Sequence, residues 1–385
     1  MKNIYKVGII GGGAMGADLT ALIARQDMPV VVKELNDELA ERLKNRLDRR
    51  VNGWLEKGKI NESRAEQLKM LFTVTASYHD MREVDLVIEA VPENPKLKAD
   101  IFTELEKLFP NAILASNTSS IPITRLSVGL KNPERVAGMH FFNPPTKMPL
   151  VELIAADRTS SETIEALELF AVETLAKKVI RVKDRPGFLV NVLLGAYLAS
   201  AIRSLEGADV KPEAIDEYAG LFGWPMGPFV LLDMMGIELV KEVMHILFAA
   251  YGARFSPSRL VEVLVSAGRL GQKSGAGFYG GTETLDSILE REFPNRIEGN
   301  ADTVFSRMMA SLINEAALAL QNEVASANDI ETGCLFGLGF PQAKGGPLHY
   351  ADEVGLENIV RELGSNACPL LREMAGRGHT FFNSW

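Results

Sequence analysis

Five histidines occur in the 385-residue chain: His79, His140, His245, His349 and His379. Imidazole is the side chain that most readily gains and loses a proton near neutrality, although most histidines sit idly in a core or on a surface. His140 differs by its setting. It follows the strand-like run Val136–Met139 and opens His140-Phe141-Phe142-Asn143-Pro144-Pro145. A polar residue at a strand's carboxyl end, followed by an irregular proline turn, lies where open α/β sheets hold their ligands. A base there can take an alcohol's proton while hydride leaves its carbon. Glu152, in Leu150-Val151-Glu152, is the candidate for fixing the imidazole's tautomer; the sequence leaves open whether the two touch. A second polar cluster, Ser116-Asn117-Thr118-Ser119-Ser120, follows the run Ile113-Leu114-Ala115. Its hydroxyls either bind a substrate oxygen or cap a helix.

Hydride needs an acceptor, and Gly11-Gly12-Gly13-Ala14-Met15-Gly16 supplies a place for one. The pattern G-x-G-x-x-G is weak alone and gains meaning between a strand and a helix. Gly11 permits the tight turn, Gly13 lets a pyrophosphate approach the backbone, and Gly16 lets helix and strand pack closely. The backbone N–H groups around Ala14 and Met15 then face the phosphates at a helix N-terminus. The second strand ends at Lys33-Glu34. A carboxylate there accepts from both ribose hydroxyls and repels a 2′-phosphate, which favours NAD over NADP; Lys33 weakens that exclusion slightly.

These residues need a scaffold. Short β-rich runs alternate with helical patterns in the first part, as in doubly wound α/β folds. Strands are expected at Val7–Ile10, Val30–Val32, Leu86–Ile88, Ile113–Ala115 and Arg135–Gly138, with helices over Gly13–Arg25 and near Lys98–Leu108 and a charged helical hairpin over Asp37–Leu71. The character changes at Lys183-Asp184-Arg185-Pro186-Gly187, and beyond it apolar residues recur at helical spacing. That second part repeats itself. Gly223-Trp224-Pro225, Gly227-Pro228, Asp233 and Gly236 return as Gly339-Phe340-Pro341, Gly346-Pro347, Asp352 and Gly355; Ala214-Ile215-Asp216 and Asp329-Ile330-Glu331 precede them. The expected fold is an α/β Rossmann-like NAD-binding domain over 1–184, then an all-α region of two repeated helical domains over 185–283 and 298–385, joined by a polar stretch.

Composition bounds the rest. The length, with 46% hydrophobic and 24% charged residues, fits a globular protein of two or three domains. The net charge of −9 argues against nucleic acid and membrane surfaces as main partners. Cys334 and Cys368 lie in neither metal nor redox spacing and read as inert thiols in a reducing compartment. No signal peptide precedes the first strand, no apolar run is long enough to span a bilayer, and Phe382-Asn383-Ser384-Trp385 spells no peroxisomal or prenylation signal. A cytoplasmic protein is expected.

The motifs together resemble a known family. They are the glycine run at 11–16, Glu89-Ala90-Val91-Pro92-Glu93-Asn94, Asn117-Thr118-Ser119-Ser120, His140-Phe141-Phe142-Asn143-Pro144, Arg185-Pro186-Gly187-Phe188-Leu189-Val190-Asn191, Pro225-Met226-Gly227-Pro228 and Gly271-Gln272-Lys273-Ser274-Gly275-Ala276-Gly277-Phe278-Tyr279. In that order, over nearly the whole chain, they resemble the L-3-hydroxyacyl-CoA dehydrogenases. The doubled helical region is similar to the dehydrogenase half of the multifunctional fatty-acid oxidation α-subunits, without their enoyl-CoA hydratase domain.

The resemblance implies NAD-dependent oxidation of an L-3-hydroxyacyl-CoA to the 3-ketoacyl-CoA, within fatty-acid β-oxidation. It makes His140 the general base and Glu152 its orienting partner, with Ser119 and Asn191 bonding the substrate near the reacting carbon. It places Val91, Pro92, Glu93, Lys98, Ser119, Asn143 and Lys273 on the cofactor beside the glycine turn and Glu34. Tyr350, in the second repeat, matches a substrate-contacting tyrosine or is a core aromatic. Two positions depart from the family pattern: Val192 follows Asn191 where an arginine is common, and Glu34 replaces the commoner aspartate. Lys44, Lys57 and Lys59 on the hairpin either meet the CoA phosphates or form a solvated face. The implied partners are the acyl-CoA, and either a thiolase subunit or a fused hydratase domain. A monomer or a heteromeric subunit is expected. A nucleotide-binding regulator without turnover, or a dehydrogenase of non-CoA hydroxy acids, are the rival readings.

Overall fold

The computed structural model describes residues 3–382, so Asn383-Ser384-Trp385 lie outside the described residues. The chain divides into two compact units, one up to Phe188 and one from Leu189. The expected boundary lay after residue 184; the compact units part after Phe188. Arg185-Pro186-Gly187-Phe188 packs with the first unit, where Arg185 Nε donates to the Phe188 carbonyl at 2.9 Å.

The first unit is built on one sheet of eight strands: β1 (Val7–Ile10), β2 (Val30–Lys33), β3 (Phe72–Thr75), β4 (Leu86–Glu89), β5 (Ile113–Ser116), β6 (Val136–Phe141), β7 (Leu150–Ala155) and β8 (Lys178–Lys183). Their spatial order is β3-β2-β1-β4-β5-β6-β7-β8. The first six in that order run parallel; β7 turns antiparallel against β6, and β8 is parallel to β7. β1 and β4 are buried throughout, as central strands covered on both faces must be. Three strands, β3, β7 and β8, were not anticipated. β8 reads Lys-Val-Ile-Arg-Val-Lys, an edge strand with exposed cations alternating with buried valine and isoleucine. β6 also runs further than expected, so His140 lies within the strand and not beyond it.

The helices of this unit are α1 (Ala14–Ala24), α2 (Asp37–Glu56), α3 (Glu62–Leu71), α4 (Pro95–Leu108), α5 (Ile123–Ser127) and α6 (Ser161–Leu169). Side-chain caps start four of them: Asn36 accepts from Leu39 N–H, Asn61 from Arg64, Asn94 from Leu97 and Ser160 from Thr163. α1 has no such cap, only Gly13.

The second unit holds α7 (Val190–Gly207), α8 (Pro212–Phe222), α9 (Pro228–Met235), α10 (Ile237–Tyr251), α11 (Arg259–Ser266), α12 (Leu285–Glu292), α13 (Ala301–Gln321), α14 (Ala327–Gly333), α15 (Pro347–Val354), α16 (Leu356–Leu363) and α17 (Pro369–Arg377). The repeat is physical as well as textual. Asp216 on α8 accepts from Phe229 and Val230 N–H at the start of α9; Glu331 on α14 accepts from Leu348 and His349 N–H at the start of α15. Asp233 then accepts from Phe278 and Tyr279 N–H, as Asp352 does from Phe381 and Phe382. The two copies do not form separate bodies: α7 packs along α13 and residues from Leu189 onward form one compact unit. Among the described residues, no helix is long and apolar enough to cross a membrane.

Candidate active site

β1 delivers the chain to the glycine turn, and sterics decide what stands there. Gly11 has φ +94°, and a Cβ on it would lie 2.9 Å from the Ala90 carbonyl oxygen. A Cβ on Gly16 would collide with the Gly11 carbonyl. At Gly13 the opposite holds: nothing lies within 4 Å of where its Cβ would point. The turn is tight beneath and open above, and α1 begins there without an acidic residue in its first turn. These features fit a dinucleotide's pyrophosphate, which the N–H groups of Gly13, Ala14 and Met15 and the helix dipole would hold. Glu34 follows β2 beside the turn, its Oε1 accepting from Gly12 N–H at 3.0 Å. Lys33 is drawn away, its ammonium 4.5 Å from the centre of the Tyr78 ring.

The β4–α4 and β5–α5 connections form the next layer. Glu89, fully buried, accepts from Val91 N–H (2.7 Å), Lys98 Nζ (2.7 Å) and Ser116 Oγ (2.6 Å). Lys98 also donates to the Val91 carbonyl and lies 3.3 Å from Glu93. Expected to touch the cofactor, Lys98 is 1% exposed, with its ammonium spent beneath the Val91–Glu93 loop. It therefore shapes that loop from below. Val91 and Pro92 are at least partly exposed on top. Glu93 receives Thr118 Oγ1 (2.5 Å), Ser119 N–H (3.2 Å), Ser120 N–H (3.1 Å) and Ser120 Oγ (2.8 Å). Burial alone would raise its pKa; the Thr118 hydrogen bond, the Lys98 charge and the Ser120 hydrogen bond outweigh this and hold it below the usual carboxylate range. Ser119 is thus exposed on a loop whose backbone Glu93 clamps.

The third layer is β6 against β7. In their antiparallel register His140 faces Glu152, and Nδ1 lies 2.7 Å from Glu152 Oε2. Glu152 is wholly buried and His140 only 5% exposed. A carboxylate only accepts, so an ionised Glu152 requires the proton on Nδ1 and leaves Nε2 its lone pair. Phe142 and Phe188 wall the imidazole at centroid distances of 4.7 and 5.8 Å. Phe188 holds φ +50°, strained for an aromatic residue, and its contact with His140 was not legible from the sequence. Asn117 was also missed: its Oδ1 accepts from Phe141 N–H at 2.8 Å and ties the serine loop to the histidine's strand. So was Lys177, whose buried ammonium donates to the Pro145 (2.5 Å) and Met148 (2.6 Å) carbonyls and braces the turn carrying the exposed Asn143.

The remaining expected residues belong to the helical unit. Asn191 lies in the first turn of α7, and Lys273 is ion-paired with Glu238. Tyr350 on α15 packs against Phe222 (5.0 Å), with the Lys344 ammonium 5.5 Å from its ring. Lys44 pairs with Asp48 at 3.0 Å on the exposed face of α2. Among the described residues, no group of three or more His, Cys, Asp or Glu side chains is placed to hold a metal.

A parallel sheet with a glycine turn at its centre and a buried histidine–carboxylate pair on a neighbouring strand is the architecture of the nucleotide-dependent dehydrogenase class. Residues 6–185 match the NAD binding domain of 3-hydroxyacyl-CoA dehydrogenase, and residues 187–281 and 304–375 match its C-terminal domain. The chain belongs to the 3-hydroxyacyl-CoA dehydrogenase family. It is 35% identical over 407 residues to the fatty acid oxidation complex subunit alpha of Idiomarina loihiensis, and 34% identical over 406 to that of Pseudomonas syringae pv. tomato. All of this chain aligns with the former and 99% with the latter, but it spans only 56% of their length. Among solved structures, 3-hydroxybutyryl-CoA dehydrogenase from Escherichia coli K12 superposes with a TM-score of 0.85 at 29% identity, over 98% of this chain and 99% of that one. The (S)-3-hydroxybutyryl-CoA dehydrogenase of Ralstonia eutropha gives 0.68 at 34% identity, over 73% of this chain and all of its own.

Proposed function

We propose that the protein oxidises the 3-hydroxyl of an L-3-hydroxyacyl-CoA to the ketone, with His140 as general base. The observation that carries this is the buried His140–Glu152 pair, 2.7 Å apart. The glycine turn and Glu34 would hold NAD, which would supply the acceptor for the hydride leaving C3. His140 Nε2 takes the hydroxyl proton. Glu152 fixes the tautomer and offsets the charge of the imidazolium that forms. Phe142 and Phe188 keep water from the imidazole. Ser119, on the loop clamped by Glu93, supplies a hydroxyl to the substrate oxygen, and Asn191 a carboxamide. Glu93, Asn143 and Lys273 would contact the cofactor; Tyr350 would contact the acyl-CoA. The relatives named as subunits of a fatty acid oxidation complex support a role in β-oxidation beside a thiolase or hydratase partner. The two buried cysteines, whose thiols burial pushes upward, are compatible with a reducing cytoplasm.

The test follows NADH absorbance with acetoacetyl-CoA supplied. The native chain should consume NADH, and His140→Ala should lower kcat by about 10²–10⁴-fold. A folded native chain that binds NADH without turning over acetoacetyl-CoA would refute the acyl-CoA reading.

A further inference from the structure

We propose that Arg46 is a further cofactor-binding residue, an uncompensated cation set beside the glycine turn; this rests on the cofactor assignment above. α2 runs past the turn and presents two arginines one helical turn apart. Arg46 Nη2 donates to the carbonyl oxygens of both Gly12 and Gly13, the latter at 2.9 Å. Arg50 donates to the Ala17 carbonyl at 3.4 Å and pairs with Asp18. The pair thus lies along the turn and the first coils of α1.

Their charges are not equivalent. Asp18 meets that of Arg50, whereas no described carboxylate lies within ion-pair distance of Arg46. Glu34 sits by the same turn, but its Oε1 accepts from Gly12 N–H, on the ribose side. The role of Arg46 then follows from electrostatics. The carbonyls of Gly12 and Gly13 are negative dipole ends within the loop that must receive an anion. A guanidinium capping both removes that opposition and adds a full positive charge to the α1 dipole. A guanidinium has five N–H donors in a planar fork suited to phosphate oxygens. The two carbonyls occupy Nη2, and Nη1 and Nε remain. Gly13, whose carbonyl it grips, is the residue with open space above it.

The experiment titrates NADH into the full chain, read by nicotinamide fluorescence, for the native protein, Arg46→Gln, Arg46→Lys and Arg42→Gln. Arg42 sits on the same helix in an exposed pair with Glu38, so its variant removes an equal charge away from the turn. Arg46→Gln should raise Kd about tenfold in dilute buffer, or about 1.4 kcal/mol, with the gap shrinking at about 0.5 M salt. Arg46→Lys should fall between, and Arg42→Gln should match the native protein. Turnover at saturating NAD should hold while KM for NAD rises. Melting without cofactor establishes folding; if Arg46→Gln unfolds, Arg46→Lys carries the test. Equal Kd for Arg46→Gln and Arg42→Gln, or a loss indifferent to salt, would overturn the proposal. A native chain that fails to bind NADH would overturn the cofactor assignment itself.

Discussion

Glu331 should make the helical unit less stable as pH rises, and Glu331→Gln should abolish that trend. In the first repeat Asp216 receives three donors: Phe229 N–H, Val230 N–H and the Tyr279 hydroxyl at 2.6 Å. In the second, Phe382 occupies the place of Tyr279 and brings no hydroxyl. Glu331 Oε1 keeps its two backbone donors, while Oε2 is buried with no hydrogen-bond partner. Burial, reinforced by Asp352, pushes the carboxyl up to about 8 despite those donors. The other facing groups are His349, whose Nδ1 lies 3.4 Å from Oε1, and the buried Cys334. A carboxyl held neutral in the folded state, with a raised pKa, stabilises it fully below the unfolded value near 4.5. That contribution drains away as pH rises through about 8. One proton sets a ceiling of about 1.4 kcal/mol per pH unit, or roughly 4 kcal/mol between about pH 5 and 8. At about 2–4 °C per kcal/mol, the melting difference between native and Glu331→Gln should change by up to about 8–16 °C across that window and level off above it. Differential scanning fluorimetry over the range reads this directly. Phe382→Tyr, which restores the missing donor, should flatten the slope. A native-minus-variant difference independent of pH would refute the reasoning.

Glu152→Gln keeps the shape of the pair but removes the charge that stabilises the imidazolium. It should lower kcat by about 10²–10⁴-fold with NADH affinity little changed, as stopped-flow turnover and fluorescence titration would show together. Gly16→Ala should cost about 1–3 kcal/mol in denaturant melts and weaken NADH binding, because the new methyl meets the Gly11 carbonyl. An unshifted midpoint would mean that helix and turn have more slack than their contact indicates.

The parts legible in the sequence were those with a strong local signal. β1 and β4 are runs of buried apolar residues, the glycine turn has its spacing, and the repeat shows in Gly-Pro and Asp-x-x-Gly pairs. β7 was not legible as a strand: Leu-Val-Glu-Leu-Ile-Ala is apolar on both faces, and length alone does not separate such a run from a buried helix segment. β8 alternates only across six residues and ends in the charged segment that marked the boundary. Lys98 shows a different limit. The resemblance set it on the cofactor, and only the fold places Glu89, at the end of β4, beneath it. Ion pairs across a sheet edge leave no spacing to find.

That buried lysine also explains how the loops after β4 and β5 are joined. Glu89 takes one donor from each of three places: Val91 in the loop after β4, Lys98 on α4 and Ser116 at the end of β5. Glu93 then spans from the β4–α4 loop to Thr118, Ser119 and Ser120. Asn117 continues the chain of contacts to Phe141, next to His140. Glu89 is satisfied by donors from neighbouring elements, so the ends of β4 and β5 cannot shift apart without leaving its buried charge underbonded, which costs several kcal/mol; Glu93 adds a more exposed clamp on the serine loop. The three polar motifs that looked separate along the sequence form one connected network. Its rigidity holds His140, Ser119 and the Val91–Glu93 loop at fixed spacing, as the proposed hydride transfer between closely set carbons demands.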